Sequence, residues 1–292
     1  MTDNEVATRV RLPGTPSVLP RERFRALILP REHGAWGILL VPLSTGAAAG
    51  LIRGGKILPI GLFLPAAVIL YWLRTPVESW LGAGPMRAQS GQERDLVLKA
   101  IAVLTAAALT ALLALFWRGR NLALLVLGAA AALAFGAQAS LKSLSRKTRV
   151  AAQVVGAIGL TCTAPGAYYA STGRFDRVAC GLWLANWIFA GNQVHYVQTR
   201  IRGARIQGFL ERCQHGQAFL EGHAAALAIL LTAIQVGWLP LVALLAFVPA
   251  AVRGLVWFFE KPEALNVRRI GWMELVQALI FAILLIAAGF RA

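Results

Sequence analysis

The residues best suited to chemistry lie in one segment, Asn192 to Arg205, with the sequence NQVHYVQTRIRGAR. Read as a helix, Asn192, His195, Thr199 and Arg202 share a face, because residues three and four apart stack on each other. Gln198 lies close to that face. Guanidinium groups can hold an anionic head by charge-assisted hydrogen bonds, and an imidazole beside them can move a proton near neutral pH. His195 is therefore the candidate catalytic residue. At membrane depth such groups face a bundle interior or a water-filled cavity. A snorkelling, positive-inside helix end would explain the arginines alone, but not Asn, His and Gln on the same face.

Further polar residues recur at the ends of apolar runs. PREHGAWGILLVP carries Arg31 and His33, and YWLRTPVESWL carries Arg74 and Glu78, four apart and able to pair. Pro76 in that second run is expected to kink or end its helix. GAGPMRAQSGQERD, which follows, is long, polar and Gly-rich, as a lid over a cavity would be. Later come Arg200, His223, Arg253 and Arg269, then Glu274 with Gln277 one turn on. A pairing of Glu274 with Arg253 or Arg202 is its ordinary structural explanation. Together with Asn192, Gln198 and Arg202, the residues Arg31, His33, Arg74, Glu78, Arg200, His223, Arg269 and Glu274 form the candidate binding set; His33, Arg74, Glu78, Asn192, His195, Arg202 and Glu274 are expected to converge on one cytoplasm-facing cavity. Glu211, His215, Glu221 and His223 match no standard metal-ligand spacing. No metal site is assigned, and Cys162, Cys180 and Cys213 have no paired spacing for a disulfide or a metal.

The elements that must position these groups are membrane helices. Of 292 residues 58% are hydrophobic, 14% are charged and the mean hydropathy is +0.62, far from the roughly 25% charge of a soluble domain. Apolar stretches of about 20 residues recur, long enough to cross a bilayer as helix. The fold class is all-α, a polytopic helix bundle. Residues 1–30 read as a disordered or surface-lying cytoplasmic tail, and 31–292 as one transmembrane domain. Nine spans are expected, near 34–52, 57–74, 96–117, 121–140, 151–170, 178–198, 217–235, 238–259 and 270–290. The short connections near Gly54–Gly55 and Arg118–Asn121 predict tight antiparallel hairpins. Gly46 and Gly50 form a GxxxG pair suited to close helix packing, and span 5 should be irregular near Pro165.

Nine spans put 22 of the 29 Lys and Arg residues on one side. Basic residues concentrate in cytoplasmic loops, so the N-terminus is expected inside and the C-terminus outside. This placement also accounts for the net charge of +16 through anionic lipid, and nucleic acid is not an expected partner. All nine tryptophans fall near expected span ends, as in an interfacial aromatic belt.

PREHGAWGILLVP, NQVHYVQTRIRGAR and RRIGWMELVQALIFAILL together resemble the YwiC-like family of bacterial membrane proteins. This resemblance implies the bacterial cytoplasmic membrane and little defined chemistry. The topology is also distantly similar to the UbiA-type intramembrane prenyltransferases, which have nine helices and Asp-rich motifs after helices 2 and 6. The corresponding places here hold LRTPVESWL and HYVQTRIRG. The first keeps one acid, Glu78, and the second none, with His195, Gln198 and Thr199 near the acids' places. Those acids hold the magnesium of a prenyl diphosphate, so magnesium is not expected here, and other cofactors are left undefined.

Three functions of different class follow. One is an intramembrane enzyme, or degenerate enzyme, acting on an isoprenoid or anionic lipid. Another is a non-catalytic protein holding a quinone, a haem or a membrane-protein partner. The third is a transporter, for which neither an obvious repeat nor matching broken helices is visible. Membrane lipid is the expected partner in the first.

Overall fold

The computed structural model describes residues 21–30, 33–82, 84, 86–119, 122–144, 148–206, 208–260 and 266–290. Among them there is helix and no strand. The order is α1 (Arg21–Ile28), α2 (His33–Ile52), α3 (Ile57–Leu81), α4 (Gly91–Trp117), α5 (Leu122–Leu144), α6 (Arg149–Thr161), α7 (Thr163–Thr172) and α8 (Arg177–Arg202). Then come α9 (Phe209–His215), α10 (Gln217–Gln235), a 3-10 segment (Leu241–Phe247), α11 (Val248–Val256) and α12 (Val267–Ala287).

Among the described residues, six stretches are long and apolar enough to cross a membrane: Ile57–Leu81, Gly91–Trp117, Leu122–Lys142, Val150–Thr172, Gln217–Gln235 and Arg268–Ala287. Trp36–Ile52 and Leu241–Val256 are shorter apolar helices. α8 is 26 residues long but less apolar, because its last turns carry the amides, imidazole and arginines. On α4 the apolar side chains of Leu98, Val103, Leu109 and Leu113 point outward and are exposed, the expected arrangement where the surrounding solvent is lipid tail. The protein is an all-helical membrane protein.

Glycine decides which helices pack. A Cβ at Gly46 would overlap the Ala164 backbone, and one at Gly50 would overlap the Ser171 hydroxyl. α2 therefore lies tightly on α7, while α3 lies chiefly on α4. The expected α2–α3 hairpin does not close, since the smooth face of α2 faces α7 instead. Val150–Thr172 is broken at Cys162, where α6 ends and α7 begins. The Thr163 hydroxyl there donates to the Leu39 carbonyl (3.1 Å).

α3 does not end at Pro76 but runs through it to Leu81. A proline inside a helix costs about 3 kcal/mol, and contacts with α1 offset it. The Trp72 indole donates to the Ile28 carbonyl (2.8 Å), and the Ser79 hydroxyl donates to the Leu27 carbonyl (3.0 Å). α1 is thus a docked helix with Leu27 fully buried. It is held to the start of α4 by Arg23–Glu93. That carboxylate raises the Arg23 guanidinium above its ordinary value, chiefly by the hydrogen bond. Glu93 also closes a capping box with Ser90 at the N-terminus of α4.

Long-range bonds define two ends of the bundle. At one, the Lys56 amide donates to the Ser171 carbonyl, the Arg53 guanidinium donates to the Phe290 carbonyl, and the Tyr168 hydroxyl donates to Asp176. At the other, α1 meets the ends of α3 and α4, and Lys142 on α5 reaches Glu78.

Candidate functional site

The candidate residues fall into two groups. The first surrounds a cavity of about 180 Å³ lined by Ala26, Leu29, Tyr71, Arg74, Glu78 and Met86, among others. Its walls are the end of α1, the last turns of α3 and the loop before α4. Gly84 and Met86 of the Gly-rich loop border it. Arg74 Nε donates to Glu78 Oε1 at 3.0 Å, and Lys142 Nζ lies 3.5 Å from the same oxygen. The Arg74 guanidinium sits 5.9 Å from the centre of the Phe135 ring. One buried carboxylate therefore faces two cations at the edge of a largely apolar cavity. Guanidinium and ammonium donors at such an edge suit a small amphiphile with an anionic head.

The second group lies between α8, α10, α11 and α12. Asn192 Nδ2 is 2.9 Å from His223 Nε2, and His223 Nδ1 is 2.9 Å from the Phe219 carbonyl. A carbonyl only accepts, so Nδ1 carries the hydrogen. In the neutral ring Nε2 then accepts from the Asn192 amide. Gln193 Nε2 donates to the Glu274 backbone carbonyl (2.8 Å). The Glu274 carboxylate pairs with Arg253, the structural pairing foreseen, and the Arg253 guanidinium stacks 4.0 Å over the Tyr196 ring. His195 is half-buried, edge-on to Phe219 with ring centroids 5.6 Å apart.

None of Asn192, His195, Arg202 and Glu274 borders the Arg74–Glu78 cavity. Gln198 reaches Gln153 on α6 at 3.4 Å, Arg200 pairs with Glu260, and Arg202 and Arg269 are exposed at helix ends. Arg31 and the His33 side chain lie outside the described residues. Lys142, Tyr196, Arg253 and Gln277 were not in the candidate set. Arg253 and Gln277 stood out in sequence as polar groups in apolar runs, whereas nothing marks Lys142 beyond its place in a basic loop.

The cavity and its charged edge sit within the first half of the chain, and that half has relatives. Residues 29–168 match the YwiC-like protein family. No curated protein and no solved structure matches the chain. The YwiC-like region runs from just before α2 through most of α7. It contains Gly46 and Gly50, the Pro76 helix, Glu78 and Lys142, and it ends before α8. Of the three segments that resemble the family, PREHGAWGILLVP lies inside the matched region, and the segments at Asn192 and Arg268 lie beyond it.

Proposed function

We propose that this YwiC-like membrane protein binds an anionic, lipid-like ligand directly, head-first, at the cavity beside Arg74, Glu78 and Lys142. One observation carries this reading: a single carboxylate faces two cations at the rim of an apolar-walled cavity. An anionic head placed there meets the Arg74 guanidinium and the Lys142 ammonium beside Glu78. The apolar wall of Leu29, Tyr71 and Met86 accepts the start of a chain. Arginine gives directional, bidentate hydrogen bonds to phosphate or carboxylate. Among the described residues Glu78 is the only acid lining the cavity, whereas magnesium prefers several carboxylate or phosphate oxygens. The Lys/Arg-rich end of the bundle then faces the cytoplasm, and the cavity opens there.

The experiment is native mass spectrometry of the purified protein with and without chelator. Retained anionic lipid should be unaffected by chelation and reduced by Arg74→Ala by about tenfold, as expected for one charged hydrogen-bonding group. Loss on chelation with recovery on adding magnesium would overturn direct binding. Retention undiminished in Arg74→Ala would place the lipid elsewhere.

A further inference from the structure

The second polar group contains a donor and acceptor set that the protein leaves unused. Arg253 and Glu274 are deeply buried, with side-chain exposures of 7% and 13%. Arg253 gives Nη1 to Glu274 Oε1. Its Nε and Nη2 have no partner among the described residues, nor do Glu274 Oε2, Asn192 Oδ1 and Gln277 Oε1. A buried polar atom without a partner costs about 1–3 kcal/mol, so five in one neighbourhood call for an occupant.

These atoms share one layer of the bundle. Gln193 bonds to residue 274 and Phe189 stacks on Phe281 with centroids 4.0 Å apart. α8 and α12 therefore run antiparallel, and Gln277 falls level with Asn192. Arg253 enters the same layer from α11, over Tyr196. The stacked Phe189–Phe281 pair, with Phe247 edge-on at 5.2 Å, closes the layer on the side of the apolar core.

The free atoms have a specific complementarity. Nε and Nη2 form one edge of the guanidinium, the fork that takes two oxygens of a carboxylate or phosphate. The three free oxygens are acceptors, as many as an ammonium has N–H donors. The His223 tautomer directs the Asn192 amide nitrogen to His223, which leaves Asn192 Oδ1 as an acceptor. Because Arg253 and Glu274 already balance each other, a ligand with net charge would add an uncompensated buried charge. A ligand with both an oxyanion and a protonated amine adds none.

We propose that Arg253, Glu274, Asn192 and Gln277 form a binding site for a zwitterionic head that couples a primary ammonium to a carboxylate or phosphate. The oxyanion lies on the Arg253 fork and the ammonium on the three oxygens. Two sources carry this chemistry, an ethanolamine phospholipid and a free α-amino acid.

The test uses the full-length protein in mixed micelles holding equal amounts of phosphatidylethanolamine, phosphatidylcholine and phosphatidylglycerol with matched chains. Choline has no N–H to give and phosphatidylglycerol no amine. Native mass spectrometry of the Arg74→Ala protein, in which the first cavity is depleted of anionic lipid, should therefore show phosphatidylethanolamine retained at least about tenfold over both, if the lipid is the source. In a parallel arm, radiolabelled glycine should bind saturably if the source is a free amino acid. Either result supports the site. Arg253→Lys, which keeps the charge opposite Glu274 but removes the fork, should abolish the preference or the glycine binding, and so should Gln277→Leu. Should Arg253→Lys fail to insert, Gln277→Leu and the comparison of the three lipids still decide. Equal retention of the three lipids with no glycine binding would overturn the proposal and assign the layer to ordered water.

Discussion

The Gln193 side chain on α8 donates 2.8 Å to the backbone carbonyl of Glu274 on α12. This bond ties the two helices beside the Arg253–Glu274 pair and sets their register. Replacing Gln193 by Leu removes one buried hydrogen bond without a charge change. Stability should fall by about 1 kcal/mol, read as a lower midpoint of thermal unfolding in detergent. An unchanged midpoint would mean that the apolar contacts alone hold the register.

Gly50 is the tightest point at which a substitution adds volume without charge. A leucine there must displace Ser171 and separate α2 from α7. Overpacking of this kind costs about 1–3 kcal/mol. Gly50→Leu should shift size-exclusion profiles toward aggregate, whereas Gly61→Leu, at a position with open space around it, should behave as the parent protein.

Glu78 is the shared partner of Arg74 and Lys142. In Glu78→Gln the two cations face a neutral amide, and breaking a largely buried pair costs about 3 kcal/mol. The half-exposed Lys142 recovers part of this by turning to water. A cycle of Glu78→Gln with Lys142→Met should return much of the loss. Strict additivity of the two changes would show that the Lys142–Glu78 contact contributes nothing.

The membrane orientation is open to a direct measurement. A reporter fused after Ala292 should be active only outside the cytoplasm, and one fused after Arg212 only inside. If both report the same side, the nine-span path is wrong.

The cysteines offer a probe of packing. Cys162 is buried at the break between α6 and α7, whereas Cys213 on α9 is partly exposed, and all three thiols are free. Maleimide should therefore label Cys213 well before Cys162, with peptide mapping as the readout. Equal rates would mean that the α6–α7 break opens readily.

Much of the helix layout was legible in the sequence because lipid imposes a strong constraint. Continuous apolar runs, separated by Gly, Pro and basic loops, mark helix positions directly. The break near Pro165 also followed from local chemistry, and so did the pairing of Glu274 with an arginine, which the sequence left open between Arg253 and Arg202. What was not legible depends on long-range packing. The helix continues through Pro76 with α1 docked against its last turns, and no local signal in LRTPVESWL announces this. The tight α2–α3 hairpin expected from its short loop gave way to a partner choice made by Gly46 and Gly50. The candidate site was read as one cavity from the shared membrane depth of its residues. Depth says nothing of azimuth around the bundle, and Arg74 and Glu78 lie around a different set of helices from Asn192 and His195.

The contact between Arg23 and Glu93 has a consequence for biosynthesis. The helix that carries Arg23 is made before α3 and α4 but cannot settle until residue 93 has left the ribosome and α3 has entered the bilayer. Until then residues 21–30 lack the contacts with Trp72, Ser79 and Glu93 that hold them. The earliest-made part of the described chain is thus among the last to reach its final place, and its docking requires that α3 and α4 have already come together.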